Sequence, residues 1–300
     1  QVRGPYRLTP LGPPYVHHVE LTGSGLAVAG LLTDLKVPPA GLAGRADVDL
    51  VVDWQGRAIG RGHGRGVAEL APAGSGLPVA GDLTVELLSE GLLRFRSDEL
   101  WLGGSRIRWE GPLLLGAWEP AWAVHADPAI LEELIPLVNG WVGQSVLPDG
   151  VSGAGSLAVS LTGPFRQLVV SILLDARPLN LVGIELDHVV AEGTISGSQL
   201  SLGPVRFSVD DGNGEVSGTV AWGDDRPTVF DLDLRAHGVP LARAASWAAL
   251  EEPIAGRFSF TGGLRGELGA LRGSWALGLS GVELLGQSLG DAAATVSLAD

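Results

Sequence analysis

Two neighbouring segments decide the fold class: Glu215-Val-Ser-Gly-Thr-Val-Ala-Trp222 and, after a polar break, Val229-Phe-Asp-Leu-Asp-Leu-Arg-Ala236. In the first, Val216, Val220 and Trp222 share one side, and Ser217 and Thr219 oppose them. In the second, Phe230, Leu232 and Leu234 share a side, and Asp231, Asp233 and Arg235 oppose them. Successive strand side chains point to opposite faces, so this period of two predicts strands with one dry and one wet face.

The pattern continues outward in both directions. Upstream lie Gly153-Ala-Gly-Ser-Leu-Ala-Val-Ser-Leu-Thr-Gly163, Leu168-Val-Val-Ser-Ile-Leu-Leu174, Asn180-Leu-Val-Gly-Ile-Glu-Leu186 and Val189-Val-Ala-Glu-Gly-Thr-Ile195. Leu200-Ser-Leu202 and Val205-Arg-Phe-Ser-Val209 follow as further short pieces, and Ile254-Ala-Gly-Arg-Phe-Ser-Phe-Thr-Gly262 resumes the opening phrase. The dry-face residues read this way are Leu157, Val159, Leu161, Ile172, Leu174, Val216, Val220, Trp222, Phe230, Leu232, Leu234, Phe258, Phe260, Trp275, Leu277 and Leu279. The expected fold is mainly β: an elongated, repetitive antiparallel sheet curled into a groove, with short helices interspersed. An antiparallel sheet with a dry face must fold on itself, be covered, or enclose something.

The amino-terminal part reads similarly. Strands are expected at Val19-Glu-Leu-Thr-Gly23, Leu26-Ala-Val-Ala-Gly30, residues 44–54, 81–87, 91–96, 99–102, 105–110 and 120–126. Asp127 suits an N-cap and Pro128 the first helical position, and Ile130, Leu131, Leu134 and Ile135 have helical spacing, predicting a helix over 127–135 that stops near Pro136. A second helix is expected over 239–250. Residues 104–138 and 214–250 share the order strand, turn, strand, helix at an offset of roughly 100–110 residues, longer than common repeat periods of about 20–50. The implied organisation is a connector with first strands over 1–40, repeat units over 41–150 and 151–252, and a further truncated repeat over 253–300.

Composition excludes several functions. A net charge of −14 argues against nucleic acid and against docking on an anionic membrane surface. The chain has no Cys, which removes disulfides, thiolate metal sites and a Cys nucleophile. It has 45 Gly and 19 Pro with 45% apolar residues, a turn-rich but folded composition, and mean hydropathy is +0.26. No apolar run approaches the ~18 residues of a membrane-spanning helix. The chain contains no Met, even at position 1, so it is expected to be a segment of a longer protein whose signal or anchor lies upstream.

Motifs for chemistry are weak. Gly60-Arg-Gly-His-Gly-Arg-Gly66 lacks the Lys-Ser/Thr of a phosphate loop and reads as a flexible or tightly turning segment. His17 and His18 are adjacent, and His63, His125, His188 and His237 are scattered, without metal-ligand spacing. Asp210-Asp-Gly-Asn-Gly214 departs from the spacing of a calcium loop and fits a hairpin turn, and Asp224-Asp225 also reads as a turn. Gly-Ser-Gly at 74–76 is no nucleophile elbow. Most of the nine Trp sit among apolar neighbours, as core or groove lining. No catalytic residue, metal or cofactor is expected.

Recurrent Gly-x-Leu-x-Val-x-Leu openings, Leu179-Asn-Leu-Val-Gly-Ile-Glu-Leu-Asp-His-Val-Val-Ala-Glu-Gly193 and Gly214-Glu-Val-Ser-Gly-Thr-Val-Ala-Trp222 resemble the TamB family and the wider AsmA-like group, which are similar to bridge-like lipid-transfer proteins. The resemblance runs from about Gly41 onward. It implies a β-groove in the periplasm of a diderm bacterium, anchored in the inner membrane. The implied roles are phospholipid transport to the outer membrane and outer-membrane protein assembly with a barrel partner. The implied ligands are phospholipid acyl chains. Exposing a chain of about 16 carbons to water costs on the order of 13 kcal/mol, at ~0.8 kcal/mol per methylene. Alternation alone fits a packed sandwich equally well. A secreted or surface β-solenoid stalk or adhesin is the rival reading, and a carbohydrate-active β-protein is a third.

Overall fold

Period-two alternation becomes strand after strand, paired mostly antiparallel with its neighbours. The computed structural model describes residues 2–3, 6–9, 16–34, 39, 41–56, 62–88, 91–142, 150–223, 226–247, 253–267 and 269–298. Among these the chain is mainly β and antiparallel, with three short α-helices, and the sheet is not closed. It divides into two units. Unit 1 comprises residues 1–149 and 156–168, and unit 2 comprises residues 150–155 and 169–300.

Unit 1 starts with β1 (Val2–Arg3) and β2 (Tyr6–Thr9), both paired with β3 (Val16–Ala27). After α1 (Val28–Asp34) a meander follows: β4 (Leu42–Gln55), β5 (His63–Pro72), β6 (Leu77–Leu88), β7 (Leu92–Leu102), β8 (Ser105–Leu114) and β9 (Glu119–Ile130). α2 (Leu131–Val142) comes next, and β10 (Val151–Thr162) is divided between the units. Beyond the end of β5, Leu42 and Ala43 pair directly and in parallel with Leu77 and Pro78.

α2 covers one end of the dry face. Its Leu134 and Leu137 pack on Val79, Leu100, Leu102, Ile107, Ala126 and Ala129, all buried. Two contacts fasten the helix. The Glu133 carboxylate accepts the Gly104 N–H at 2.8 Å, in the turn joining β7 to β8. Ser105 Oγ, fully buried, accepts the Ile130 N–H at 2.8 Å. Ser105→Ala would orphan that buried N–H, and a loss of about 1–3 kcal/mol is expected in the urea-unfolding free energy; an unchanged midpoint would show that the bond carries nothing.

The helix differs from the sequence expectation. Asp127 and Pro128 belong to β9, which runs four residues past Ala126 to Ile130, and the helix begins at Leu131 with Pro136 inside it. Burial of Ala126 and Ala129 against β8 outweighs the capping signal, because a strand continued along the sheet keeps both methyls dry. Similarly, Leu26-Ala-Val-Ala-Gly30 splits into the end of β3 and the start of α1. Of the glycine-rich loop, residues 63–66 form the start of β5, with Gly64 and Gly66 opposite Val52 and Leu50; residues 60 and 61 lie outside the described residues.

Unit 2 continues with β11 (Val169–Leu181), β12 (Ile184–Leu186), β13 (His188–Ser196), β14 (Gln199–Val209), β15 (Gly212–Gly223) and β16 (Arg226–Pro240). α3 (Leu241–Trp247) follows, then β17 (Ile254–Glu267), β18 (Ala270–Leu284) and β19 (Gln287–Leu298). Residues 180–186 are a hairpin of β11 and β12 around Val182-Gly183, not one strand. The expected helix over 239–250 starts at Leu241, since Val239 is fully buried on β17, and residues 248–250 lie outside the described residues. Asp210-Asp211 forms the two-residue turn between β14 and β15, as expected. Asp224-Asp225 lies outside the described residues. Arg243 of α3 reaches Asp210 at 3.2 Å and Glu185 at 3.4 Å, holding the helix over the strand ends.

The pieces read as separate strands at 200–202 and 205–209 are one strand with a bulge. Leu202 and Val205 stand opposite Gly218 and Val216 of β15, so one extra residue at Gly203-Pro204 keeps both on the dry face despite their odd spacing. Ala236 and Val239 of β16, and Leu279 and Val282 of β18, are related in the same way.

Candidate functional site: the apolar sheet faces

In unit 2 the registers line the dry residues up in rows crossing the strands. One row runs Val170, Ile195, Leu200, Val220, Phe230, Gly266, Leu271. The next runs Ile172, Gly193, Leu202, Gly218, Leu232, Leu264, Gly273, Leu298. A third runs Val205, Val216, Leu234, Gly262, Trp275, Val296. A fourth runs Phe207, Gly214, Ala236, Phe260, Leu277, Ala294, and beyond the β16 bulge Val239, Phe258, Leu279 and Ala292 align. The unit thus brings together thirteen of the sixteen sequence-predicted residues. Leu174 faces Ala191, and Trp222 stands one turn of the alternation beyond Val220. Leu157, Val159 and Leu161 lie on β10 within unit 1, where Leu157 packs against the buried cluster beneath α2.

All sixteen are half-buried: none is sealed from solvent and none stands fully exposed. Full burial in unit 2 concentrates where α3 and the bulges lie, at Ala176, Val189, Val209, Ala236, Val239 and Val282. Unit 1 has the same gradation, with buried residues beneath α2 and at Val52, Leu87, Leu113 and Pro120, and half-buried Leu50, Val85, Phe95, Trp109 and Trp122 between them.

Glycine is the feature of these faces that sequence reasoning missed. A Cβ on Gly214 would meet the Phe207 ring, and one on Gly262 would meet the indole of Trp275. Both rings therefore lie down over a neighbouring glycine rather than standing off the sheet, which keeps the apolar floor shallow. The signal was present as Gly at alternate dry positions, yet only the pairing reveals which ring covers which glycine.

The wet face is charged and self-paired. Asp231 accepts from Arg265 at 2.8 Å, and Arg206 and Glu215 lie 3.4 Å apart. Arg257 binds Asp211 and donates to the Gly238 carbonyl at 2.9 Å; its guanidinium holds the Asp211 carboxyl below the usual range. Such exposed pairs contribute little to stability, with a median of about 0–1 kcal/mol, so they mark the solvent side rather than hold the fold.

Two histidines, His18 and His63, reach the Asp53 carboxylate, at 2.6 and 3.9 Å, and His17, His188 and His237 pair elsewhere. His17 stacks on Trp54 with centroids 4.8 Å apart. His18 touches Asp53 at 2.6 Å and Glu20 at 2.8 Å, and these hydrogen bonds, Glu20's foremost, raise its pKa. His188 meets Asp175 at 3.0 Å, and His237 meets Ser259 at 3.2 Å. Among the described residues no three His, Asp or Glu side chains converge on a metal-sized site, and no helix is long and apolar enough to cross a membrane.

No protein-family description, curated protein or solved structure matches this chain. The functional reading therefore rests on the faces themselves.

Proposed function

We propose that the apolar sheet faces carry the acyl chains of phospholipid, in a segment of an envelope protein of the TamB and AsmA-like kind. In this reading the chain has no catalytic task. It works in the periplasm of a diderm bacterium, held to the inner membrane by a segment outside this sequence. It passes phospholipid towards the outer membrane or serves outer-membrane protein assembly beside a barrel partner. One observation carries the reading: in unit 2, aligned rows of aliphatic and aromatic side chains stay half-exposed across consecutive strands. A sheet stabilised only by its own core would bury these residues as fully as it buries Val209 and Val239. Large exposed apolar patches mark interaction surfaces.

Native mass spectrometry with lipid extraction, on the chain purified from a bacterial envelope, tests this. Co-purifying phospholipid is expected, with at least a tenfold loss in a Val220→Asp, Leu232→Asp, Leu234→Asp variant that keeps its β circular dichroism. A folded chain that carries no lipid and acquires none from labelled vesicles would instead favour a packed stalk.

A further inference from the structure

Three polar atoms on the dry face of unit 1 are buried without a hydrogen-bond partner: Ser97 Oγ, Trp109 Nε1 and Trp122 Nε1. They are neighbours. Ser97 and Trp109 stand opposite each other across β7 and β8, and the Trp109 and Trp122 rings meet edge-to-face with centroids 5.2 Å apart. Phe95 stacks on Trp109 at 5.4 Å, and Phe165 closes on Trp122 at 6.0 Å. Ser97 itself is only 2% exposed.

Buried donors without acceptors are rare, and each costs about 1–3 kcal/mol. An edge-to-face pair can aim one indole N–H at a ring, a weak substitute that leaves the other indole and the hydroxyl unsatisfied. The group that would satisfy them must accept hydrogen bonds and must sit among aromatic rings. It must also be uncharged, because the arginines of β7 and β8, Arg94, Arg96, Arg106 and Arg108, alternate with Phe95, Ser97, Ile107 and Trp109 and so face the other way. An ester carbonyl flanked by methylenes meets all three demands, whereas a free carboxylate would lack a cation.

We propose that Ser97, Trp109 and Trp122 form a donor station that binds the acyl-ester carbonyl of a glycerolipid lying on this face. The inference rests on the lipid reading above and adds a chemical preference to it: ester-linked over ether-linked chains.

The test displaces an apolar fluorescent reporter from the lipid-free chain with short-chain phosphocholines, diester against diether of equal length. The wild-type chain is expected to favour the diester about tenfold, roughly one net hydrogen bond. Ser97→Ala with Trp109→Phe and Trp122→Phe removes all three donors and keeps an aromatic ring at both Trp positions, and it is expected to bring the ratio of diester to diether affinity to about one. Should that triple variant fail to fold, ¹⁵N-indole resonances of the wild-type chain decide: two should shift with diester and stay put with diether. Equal binding of the two lipids by the wild-type chain, or a preference that survives in the triple variant, overturns the donor station while leaving the apolar face standing. A chain that binds neither reporter nor lipid overturns both.

Discussion

Ile107→Asp is expected to leave unit 1 unfolded at 25 °C. Ile107 is 5% exposed, faces Leu100 and Ala126 across its two neighbouring strands, and belongs to the cluster beneath Leu134 and Leu137 of α2. The substitution removes a buried aliphatic side chain and puts a carboxyl group in its place with no cation in the cluster. The combined loss is about 5 kcal/mol or more, the size of a typical domain's whole stability. The contrast is Leu232→Asp, at a half-buried position in the middle of the unit 2 face. There the carboxylate can reach water, and only about 1–2 kcal/mol of aliphatic burial is forfeited. Urea titrations followed by circular dichroism should show the first chain unfolded without denaturant and the second with a modestly lowered midpoint. Equal losses at the two sites would mean that the unit 2 face is as tightly packed as the core under α2, and the groove would have no floor left to offer.

This contrast is also where sequence reading reached its limit. The faces were legible, because alternation in residues 216–222 and 230–235 is a direct imprint of strand geometry, and the paired registers put Val216 opposite Leu234 and Val220 opposite Phe230. Depth of burial was not legible. Val209 and Val220 look alike in sequence, yet one is fully buried where the strands meet α3 and the other is half-buried. That difference depends on which strand ends a helix covers, a long-range property. Gly203-Pro204 and the odd spacing from Ala236 to Val239 read as strand breaks because bulges violate the period of two they exist to restore. Asp127-Pro128 read as a helix start because capping is a local signal, and burial of Ala129 overrode it. The donor station was the least legible feature: Ser97 is one serine among many until pairing sets it beside Trp109.

Gly218→Val should destabilise unit 2 by about 4 kcal/mol or more, for a reason rooted in the same shallow floor. Gly218 sits at φ +136°, a conformation that β-branched residues avoid. A Cβ there would also run into the Asp231 carbonyl oxygen and come within 2.9 Å of Leu232 Cα on β16. Backbone cannot swing aside as a side-chain tip can, so β15 and β16 would have to separate at the centre of their ladder. Gly278→Ala is the matched control. Gly278 also lies inside a strand, but a Cβ there meets nothing within 4 Å, so the change is expected to be neutral or stabilising by less than about 1 kcal/mol through the unfolded chain. Hydrogen exchange of the β15 and β16 amides reads out both: protection should collapse in the first variant and hold in the second. If Gly218→Val retained native protection, the close approach of these strands would not depend on glycine. Glycine at 218 would then need an explanation other than the nearness of the β16 backbone. If protection collapses only there, glycine content in this chain measures how closely backbone and flat-lying rings pack. In the lipid reading proposed above, that closeness keeps the Trp275 ring low enough on the sheet for an acyl chain to lie across it.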